Sequence, residues 1–296
     1  MELSTMLNMY LVKNGVAGGY VEAVRRTRKI GFTNMDLPLD WMAKGQSELA
    51  GDDWKKQAEA IVNEGAKLGV RFPQAHLCFA KGPFDRIRAD EPLCEEDPWF
   101  KECLDRGIEI CAMAGVKWAV VHPLSTLSPV GFDVDDDIAY NVAYYTPFFE
   151  KAGKLGVGIA IENMCDTSKG RRFGVTAWEL IALMKAFRSD NVRLCWDFGH
   201  GKRTYKELDQ VPSVRKVGPY LRATHVDDNY GADDLHMPPY QGKVEWTSIM
   251  RALKEVGYDD MFDMETRFTQ LMPEDAKDLS CRLVYELGMH MLSLVE

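Results

Sequence analysis

The stretch "AMAGVKWAVVH", residues 112–122, contains the pattern that decides the fold. A helical segment ends at Gly115, and a short apolar run rich in valine follows it. Glycine suits the left-handed conformation that closes a helix, where a Cβ atom would clash. An apolar run with β-branched and aromatic residues is typical of a buried strand. The stretch therefore predicts a helix, a glycine turn and a strand in succession.

The same pattern occurs in "RKIGFTNMDL", "AKLGVRFPQAH", "GKLGVGIAIE" and "KEVGYDDMFDME", where the turns fall at Gly31, Gly69, Gly156 and Gly257. We predict eight strands, most of them separated by helices, near residues 3–9, 32–37, 70–78, 117–123, 157–163, 192–198, 221–227 and 260–266. Alternating strands and helices imply parallel pairing with right-handed crossovers. Eight such units predict an α/β protein with a single (β/α)8 TIM barrel domain over residues 1–296. A doubly wound sheet is the alternative, and it is weakened because no glycine-rich phosphate loop follows the first strand.

The composition narrows the classes of function. Of the 296 residues, 46% are hydrophobic and 27% are charged, which is ordinary for a globular protein, and no apolar run reaches transmembrane length. The start "MELSTMLNMY" lacks the features of a signal peptide, and the seven cysteines contain no CxxC pair, so we expect reduced thiols and a cytoplasmic location. The net charge of −9 argues against a nucleic-acid partner, although a local basic groove stays open as an alternative.

Acidic and imidazole side chains fall at the predicted carboxyl ends of six consecutive strands, where barrel enzymes carry their chemistry. In chain order these residues are His76, His122, Glu162, Asp197, His225 and Glu265. Three more such residues, His200, Asp234 and His236, lie just past the strand ends, so the set contains five of the six histidines. Strand alternation adds that the small residues Ala160, Cys195 and Ala223 should point into the barrel beneath this set.

A divalent metal is the simplest explanation of this set. One strand-end histidine is more often structural than a ligand, and one buried glutamate could belong to an ion pair. Several carboxylates near the barrel axis would, however, repel one another and raise each other's pKa unless a cation neutralised them. Mixed carboxylate and imidazole ligands suit Zn²⁺, Mn²⁺, Co²⁺ or Fe²⁺ better than Ca²⁺.

The motifs "IEN", "WDFGH", "HVDDN", "DLHMPPYQGKVEW" and "MET" resemble those of the xylose isomerase-like TIM barrels. This family includes sugar and sugar-phosphate isomerases and epimerases, inosose dehydratases and the endonuclease IV type of DNA repair enzyme. The resemblance implies a metal, with Zn or Mn favoured over Co or Fe, on Glu162, Asp197, His225 and Glu265. It also implies that Glu162 and Glu265 exchange a carbon-bound proton and that His200 faces the substrate.

The resemblance makes a sugar or sugar-phosphate isomerase or epimerase our leading hypothesis, and it leaves other functions open. The additional histidines and Asp234 complete a set that resembles the trinuclear zinc site of endonuclease IV, which implies a phosphodiesterase. A keto-sugar or inosose dehydratase and a catalytically silent sugar-binding protein are further alternatives. Members of the family often form homodimers or homotetramers, which we expect here as well.

Residues around the predicted site are open to two interpretations each. Arg267 is expected to bind a distal substrate group, while Trp246, Phe79 and Trp41 would either line the substrate or pack in the core. The basic segments "KGRR", from Lys169 to Arg172, and "GKR", from Gly201 to Arg203, would either hold a phosphate or coat the surface. The neighbouring aspartates Asp227, Asp228 and Asp233 are interpreted first as turn and capping residues.

Overall fold

Eight parallel strands form a closed barrel in the computed structural model, which describes residues 1–13, 16–17, 19–79, 98–125, 133–166, 170–206, 209–267 and 272–295. The strands β1 to β8, in chain order, are Glu2–Met6, Asn34–Pro38, Arg71–His76, Trp118–Val121, Gly158–Glu162, Val192–Asp197, Leu221–Val226 and Met261–Met264. Each strand pairs with its neighbours in the chain, and β1 pairs with both β2 and β8 to close the ring. The predicted (β/α)8 barrel is confirmed.

Helices surround the barrel and connect most of its strands. The α-helices α1 to α10, in chain order, are Asn8–Leu11, Tyr20–Ile30, Trp54–Leu68, Pro98–Ala114, Val134–Lys154, Ala177–Ala186, Phe198–Tyr205, Val211–Val217, Trp246–Glu255 and Glu274–Ser293. Short 3₁₀ segments occupy Leu39–Met42, Glu48–Ala50 and Gly218–Tyr220. No helix in the described ranges is both long enough and apolar enough to cross a membrane.

The turns between helix and strand follow the glycine pattern in the sequence. Gly69, Gly115, Gly156 and Gly257 have φ between 67° and 78°, and Gly31 has φ 139°. These are conformations that L side chains rarely adopt, so the prediction of a special backbone at each turn is confirmed.

The predicted first strand is too long. It ends at Met6 because the chain turns at Leu7 into α1, whose residues Met9, Tyr10 and Leu11 are buried by helix packing. A small antiparallel hairpin that the sequence pattern did not indicate pairs Val12–Lys13 with Val16–Ala17. Local helix packing therefore overrides the apolar run that suggested a longer strand.

The strands bury two different faces. Their outward residues, including Ile159, Ile161, Leu194 and Trp196, join the main hydrophobic core beneath the helices. The inward residues Val120, Ala160, Cys195 and Ala223 form a separate small cluster inside the barrel, and each is 0% exposed. Small side chains at this level leave room above them for large polar groups, as the alternation predicted.

Candidate active site

The nine predicted site residues converge at the carboxyl ends of the strands. His76, Glu162 and Asp197 are the last residues of β3, β5 and β6, and His225 lies one residue before the end of β7. His122 and Glu265 directly follow β4 and β8. Most of these side chains are at least nine-tenths buried, although the Asp234 side chain is 26% exposed. The structure brings the whole set together in three adjoining clusters.

The first cluster joins His76, His122 and Glu162. Glu162 Oε2 lies 3.2 Å from His76 Nε2 and 3.1 Å from His122 Nε2, and the two nitrogens are 3.1 Å apart. Ligands about 2.0–2.1 Å from a tetrahedral zinc ion lie roughly 3.3 Å from one another. The triangle of atoms therefore matches three ligands of one small cation.

The second cluster joins Glu162, Asp197, His225 and Glu265. His225 Nδ1 lies 3.1 Å from Glu162 Oε1 and 3.1 Å from Glu265 Oε2. Glu162 belongs to both clusters, with Oε2 in the first and Oε1 in the second. One carboxylate is therefore placed to bridge two cation positions.

The third cluster joins His200, Asp234 and His236. Asp234 Oδ2 lies 3.1 Å from His236 Nε2 and 3.5 Å from His200 Nε2. His236 has φ 47°, a conformation that costs energy for a residue with a Cβ atom. The loop holds the ring beside Asp234 in spite of this cost.

The donor set fits divalent cations. The Nδ1 atoms of His76 and His200 lie 2.9 Å and 2.8 Å from the backbone oxygens of Leu77 and Asn163, which favours a hydrogen on Nδ1. The neutral ring then presents the Nε2 lone pair to a carboxylate, a repulsive contact unless a cation lies between them. Such carbonyl contacts are the usual support of metal-binding histidines.

The second cluster gives independent support for this fit. Glu162 Oε1, Asp197 Oδ2 and His225 Nδ1 are buried, and none of them makes a hydrogen bond of good geometry among the described residues. Buried polar atoms are normally satisfied, so this shortage in a group whose ligand atoms lie within 4.8 Å of one another favours a bound cation.

Burial and mutual charge perturb the acidity of this site. Burial opposes ionisation of Glu162, but His225 and His122 hold its pKa well below the ordinary value. Burial also opposes protonation of His225, yet Glu162 and Glu265 raise the pKa of its imidazole well above the usual range. Burial raises the pKa of Asp197 to about 6 and lowers the pKa of His122 to about 4. Bound cations would replace the charge that protonated imidazoles supply.

Asn163 fixes the end of β5 against the end of β6. Its Oδ1 accepts a hydrogen bond of 2.6 Å from the Asp197 backbone nitrogen, and its Nδ2 donates one of 2.9 Å to the Asp197 backbone oxygen. Asp197 in turn caps α7, since its Oδ1 accepts from the His200 backbone nitrogen at 2.6 Å. The motifs "IEN" and "WDFGH" are thus one connected support, which was not apparent from their separation in the sequence.

Asp227, which the sequence predicts to be a turn residue, lies against the third cluster instead. It is fully buried, accepts from the Gly199 backbone nitrogen at 2.9 Å, and places Oδ2 3.4 Å from His236 Nδ1. A Cβ atom on Gly199 would lie 2.4 Å from either Asp227 oxygen. The paired aspartates after His225 were the available signal, but only the fold shows which one turns inward.

Asp228 organises the loop that follows β7, in agreement with a structural role. Its Oδ1 accepts from the backbone nitrogens of Asn229 and Val244, and its Oδ2 accepts from Trp246 Nε1 at 3.1 Å. Trp246 is 2% exposed and packs against Phe198 with ring centroids 5.6 Å apart. Trp246 therefore packs in the core, one of the two roles that the sequence left open, and its contact with substrate stays a prediction.

Cations and aromatic rings surround the mouth of the barrel. Arg267 Nη2 lies 3.7 Å from Glu265 Oε1, and its side chain is 54% exposed. Arg203 donates to Cys165 Sγ at 3.3 Å. Phe79 stacks on His122 with centroids 4.6 Å apart, so this ring borders the first cluster.

The other basic, acidic and aromatic candidates have contacts or exposure of their own. Trp41 packs beneath Lys44, whose Nζ lies 4.4 Å from the centroid of its ring. Arg171 pairs with Glu179 at 2.8 Å, and Lys169 lies outside the described residues. Asp233 is exposed, in agreement with a turn residue.

Sequence comparison places this architecture in a family. The family model of the xylose isomerase-like TIM barrel matches residues 24–284. The chain belongs to this family. The protein y4fM of Sinorhizobium fredii, which has no assigned function, is 26% identical over 276 residues, or 83% of this chain and 82% of that relative. An inosose isomerase of Bacillus licheniformis is 26% identical over 165 residues, or 53% of this chain.

Two of the relatives match over only part of their length, and the structural match has low sequence identity. The chain spans 56% of the length of that inosose isomerase and 56% of the Methanocaldococcus jannaschii protein MJ1311. The crystal structure of a D-psicose 3-epimerase in the presence of D-fructose matches with a TM-score of 0.75 and 16% identity, covering 100% of both chains. At this identity the structural match shows the shared fold.

Proposed function

We propose that this family member is a divalent-metal-dependent isomerase or epimerase acting on a small sugar or sugar phosphate. The observation that carries the proposal is the placement of two glutamates beside one histidine nitrogen, each 3.1 Å from His225 Nδ1. Two carboxylates around one substrate carbon can remove a proton from it and return a proton to it. The similarity to an inosose isomerase and to sugar 3-epimerases supports the same class of reaction.

Glu162, Asp197, His225 and Glu265 would hold the catalytic cation. When bound, the cation supplies positive charge that stabilises the enediolate left after a carbon-bound proton is removed. Its carboxylate and imidazole donors favour Zn or Mn, with Co and Fe as further candidates.

The protein's side chains would transfer the proton, bind the substrate and exclude water. Glu265 Oε1 faces Arg267, while Oε2 faces His225, so one oxygen is free to move a proton as the other stays in the cluster. With a cation in the second cluster alone, Glu162 Oε1 stays in that cluster and Oε2 moves the proton on the opposite face of the carbon. His200 holds a substrate hydroxyl, and the half-exposed Arg267 guanidinium binds a distal oxygen or phosphate of the substrate. Burial of the cluster keeps bulk water from the deprotonated carbon.

The test is proton exchange in deuterated water. Purified protein with known metal content is incubated with a panel of ketoses and their phosphates, and mass spectrometry follows deuterium incorporation and product formation. Glu265→Gln should slow exchange by about 10²–10⁴-fold while metal remains bound. Glu245→Gln, an exposed change in the preceding loop, should keep the wild-type rate. Unchanged exchange by Glu265→Gln with metal bound contradicts the role of Glu265. Loss of a hydroxyl from the product would instead show a dehydratase.

A second candidate function is hydrolysis of a phosphate ester with three metal ions. The first and third clusters favour it, because they add two complete groups of ligands to the site that proton exchange requires. Neighbouring cations can activate water and stabilise both the attacked and the leaving oxygen. The net charge of −9 makes a small phosphate ester a better substrate than DNA. Three zinc ions per chain with cleavage of abasic-site DNA would support an endonuclease IV-like activity.

We further propose a cytoplasmic location and a homodimer or homotetramer. The six described cysteines are buried free thiols, which is compatible with a reducing compartment. Light scattering of the purified protein tests the oligomer.

A further inference from the structure

A cavity of about 390 Å³ lies at the end of the barrel opposite the candidate active site. It is lined by residues around the start of β6 and β7, including Arg193 and Arg222. The carboxyl ends of the same two strands carry Asp197 and His225. The volume is within the range of about 300–1,000 Å³ that small-molecule sites occupy. A ligand in this cavity would therefore be separate from the substrate of the metal clusters.

The lining of this cavity is basic, although the protein has a net charge of −9. It contains four cationic side chains, and Asp190 is the one carboxylate among its described lining residues. Asp190 is fully exposed and pairs with Arg193 at 3.2 Å. In the part of the chain that the structure describes, Lys185, Arg188 and Arg222 have no carboxylate partner. A concave surface with charge of one sign attracts ligands of the opposite charge.

Backbone oxygens hold two of the guanidinium groups in place. Arg193 Nη1 donates to the Val192 oxygen at 2.8 Å and to the Ser189 oxygen at 3.4 Å. Arg222 Nη1 donates to the Leu221 oxygen. A carbonyl oxygen orients a guanidinium group without neutralising its charge. The two adjacent strands thus present oriented guanidinium groups, which are suited to phosphate and carboxylate oxygens.

Arg188 has a backbone conformation that other turns of this protein give to glycine. Its φ is 49°, and its backbone nitrogen bonds the Lys185 oxygen, three residues earlier, at 3.1 Å. Five other turns from helix to strand have a positive φ and the same bond at Gly31, Gly69, Gly115, Gly156 and Gly257. This conformation is strained for arginine but not for glycine. The turn between α6 and β6 therefore carries an arginine in spite of the strain, and that arginine lines the cavity.

We propose that this cavity binds the phosphate group of a small phosphorylated molecule. Arg188, Arg193 and Arg222 bind the phosphate oxygens, and Lys185 adds a fourth positive charge. A phosphate monoester carries a charge of about −1.5 to −2 at neutral pH, so it balances this lining better than one carboxylate does. Lys185 Nζ lies 5.7 Å from the centroid of the Tyr220 ring, which also lines the cavity. The ring offers an apolar surface to the organic part of the ligand.

Calorimetry of metal-loaded protein with inorganic phosphate tests this site, and acetate is the comparison. Wild type should bind phosphate more tightly than acetate. Arg188→Gly should weaken phosphate binding at least tenfold, and it should raise the unfolding temperature in phosphate-free buffer because glycine relieves the strain. Lys206→Gly is the matched control, since Lys206 is an exposed cation with φ 52° outside the cavity. It should keep the wild-type affinity for phosphate.

Arg222→Met provides a second variant, which should also weaken phosphate binding at least tenfold. Phosphate held by the metal ions is common to wild type and all variants, so the differences between them report the cavity. Equal phosphate binding by wild type and the folded Arg188→Gly and Arg222→Met variants overturns the proposal. An equal loss in Lys206→Gly also overturns it, because net charge alone would then explain the effect. Acetate binding as tight as phosphate binding overturns the choice of phosphate. None of these readouts depends on whether the protein isomerises sugars.

Discussion

Replacement of Asn163 by alanine should destabilise the protein although no catalytic group is removed. Asn163 is 0% exposed and bonds both the backbone nitrogen and the backbone oxygen of Asp197. Asn163→Ala leaves the Asp197 backbone nitrogen without this partner, whereas the Asp197 backbone oxygen, at the N-cap of α7, keeps the first intrahelical hydrogen bond. One unsatisfied buried group costs about 1–3 kcal/mol, so the free energy of unfolding should fall by about 1–3 kcal/mol.

Equilibrium urea unfolding of the metal-free protein measures this change without the contribution of bound cations. Gln57→Ala is the matched control, since Gln57 Nε2 also bonds a neighbouring group, Asp53, but the pair is exposed. We expect a change below about 0.5 kcal/mol for this control. A loss below 1 kcal/mol for Asn163→Ala would refute the reasoning, because water or a backbone shift would then satisfy Asp197.

The same variant also tests positioning. Asp197 is a candidate ligand in the second cluster; its carboxylate caps α7, and its backbone is held by the Asn163 bonds. Loss of such supports typically lowers metal affinity by about 10–100-fold. Competition with a coloured chelator measures the affinity of folded Asn163→Ala. Wild-type affinity in a destabilised variant would show that Asn163 acts on stability alone.

Three further predictions address the site. Glu265→Gln should reduce the rate of proton exchange by about 10²–10⁴-fold, the usual contribution of one general acid–base group, as followed by deuterium incorporation; a smaller loss with metal bound would place the proton transfer elsewhere. Chelator should lower the unfolding temperature, and zinc or manganese at about 100 times its Kd should restore about 2.7 kcal/mol of stability; calorimetry that shows no difference would argue against a resident metal. Gly199→Ala places a Cβ atom 2.4 Å from Asp227 and should lower the free energy of unfolding in urea by about 1–3 kcal/mol. Gly45→Ala is the comparison: its Cβ atom has open space but its φ is 66°, so it reports backbone strain without a clash.

Periodicity and glycine placement were sufficient to predict the barrel. A helix that ends before a strand needs a residue with positive φ at the turn, as at Gly69, Gly115, Gly156 and Gly257. Alternation along a single strand turns Ala160 and Cys195 inward. Both features depend only on residues close in sequence. The strands, their order and the residues at their ends could therefore be predicted from the sequence. The length of β1 was not, because helix α1 forms through packing with α2 and α10.

The sequence alone thus determined which residues reach the mouth of the barrel, since each is fixed by its place on its own strand. Only the tertiary structure decided which atoms meet. It divided nine candidate ligands into three clusters, joined Asp227 to the Gly199 backbone and the Trp246 indole to Asp228, and brought Asp36 within 4.8 Å of Asp263. These contacts join residues up to 227 positions apart in the sequence (263 − 36). Their distances depend on strand register and barrel closure, which no local pattern specifies.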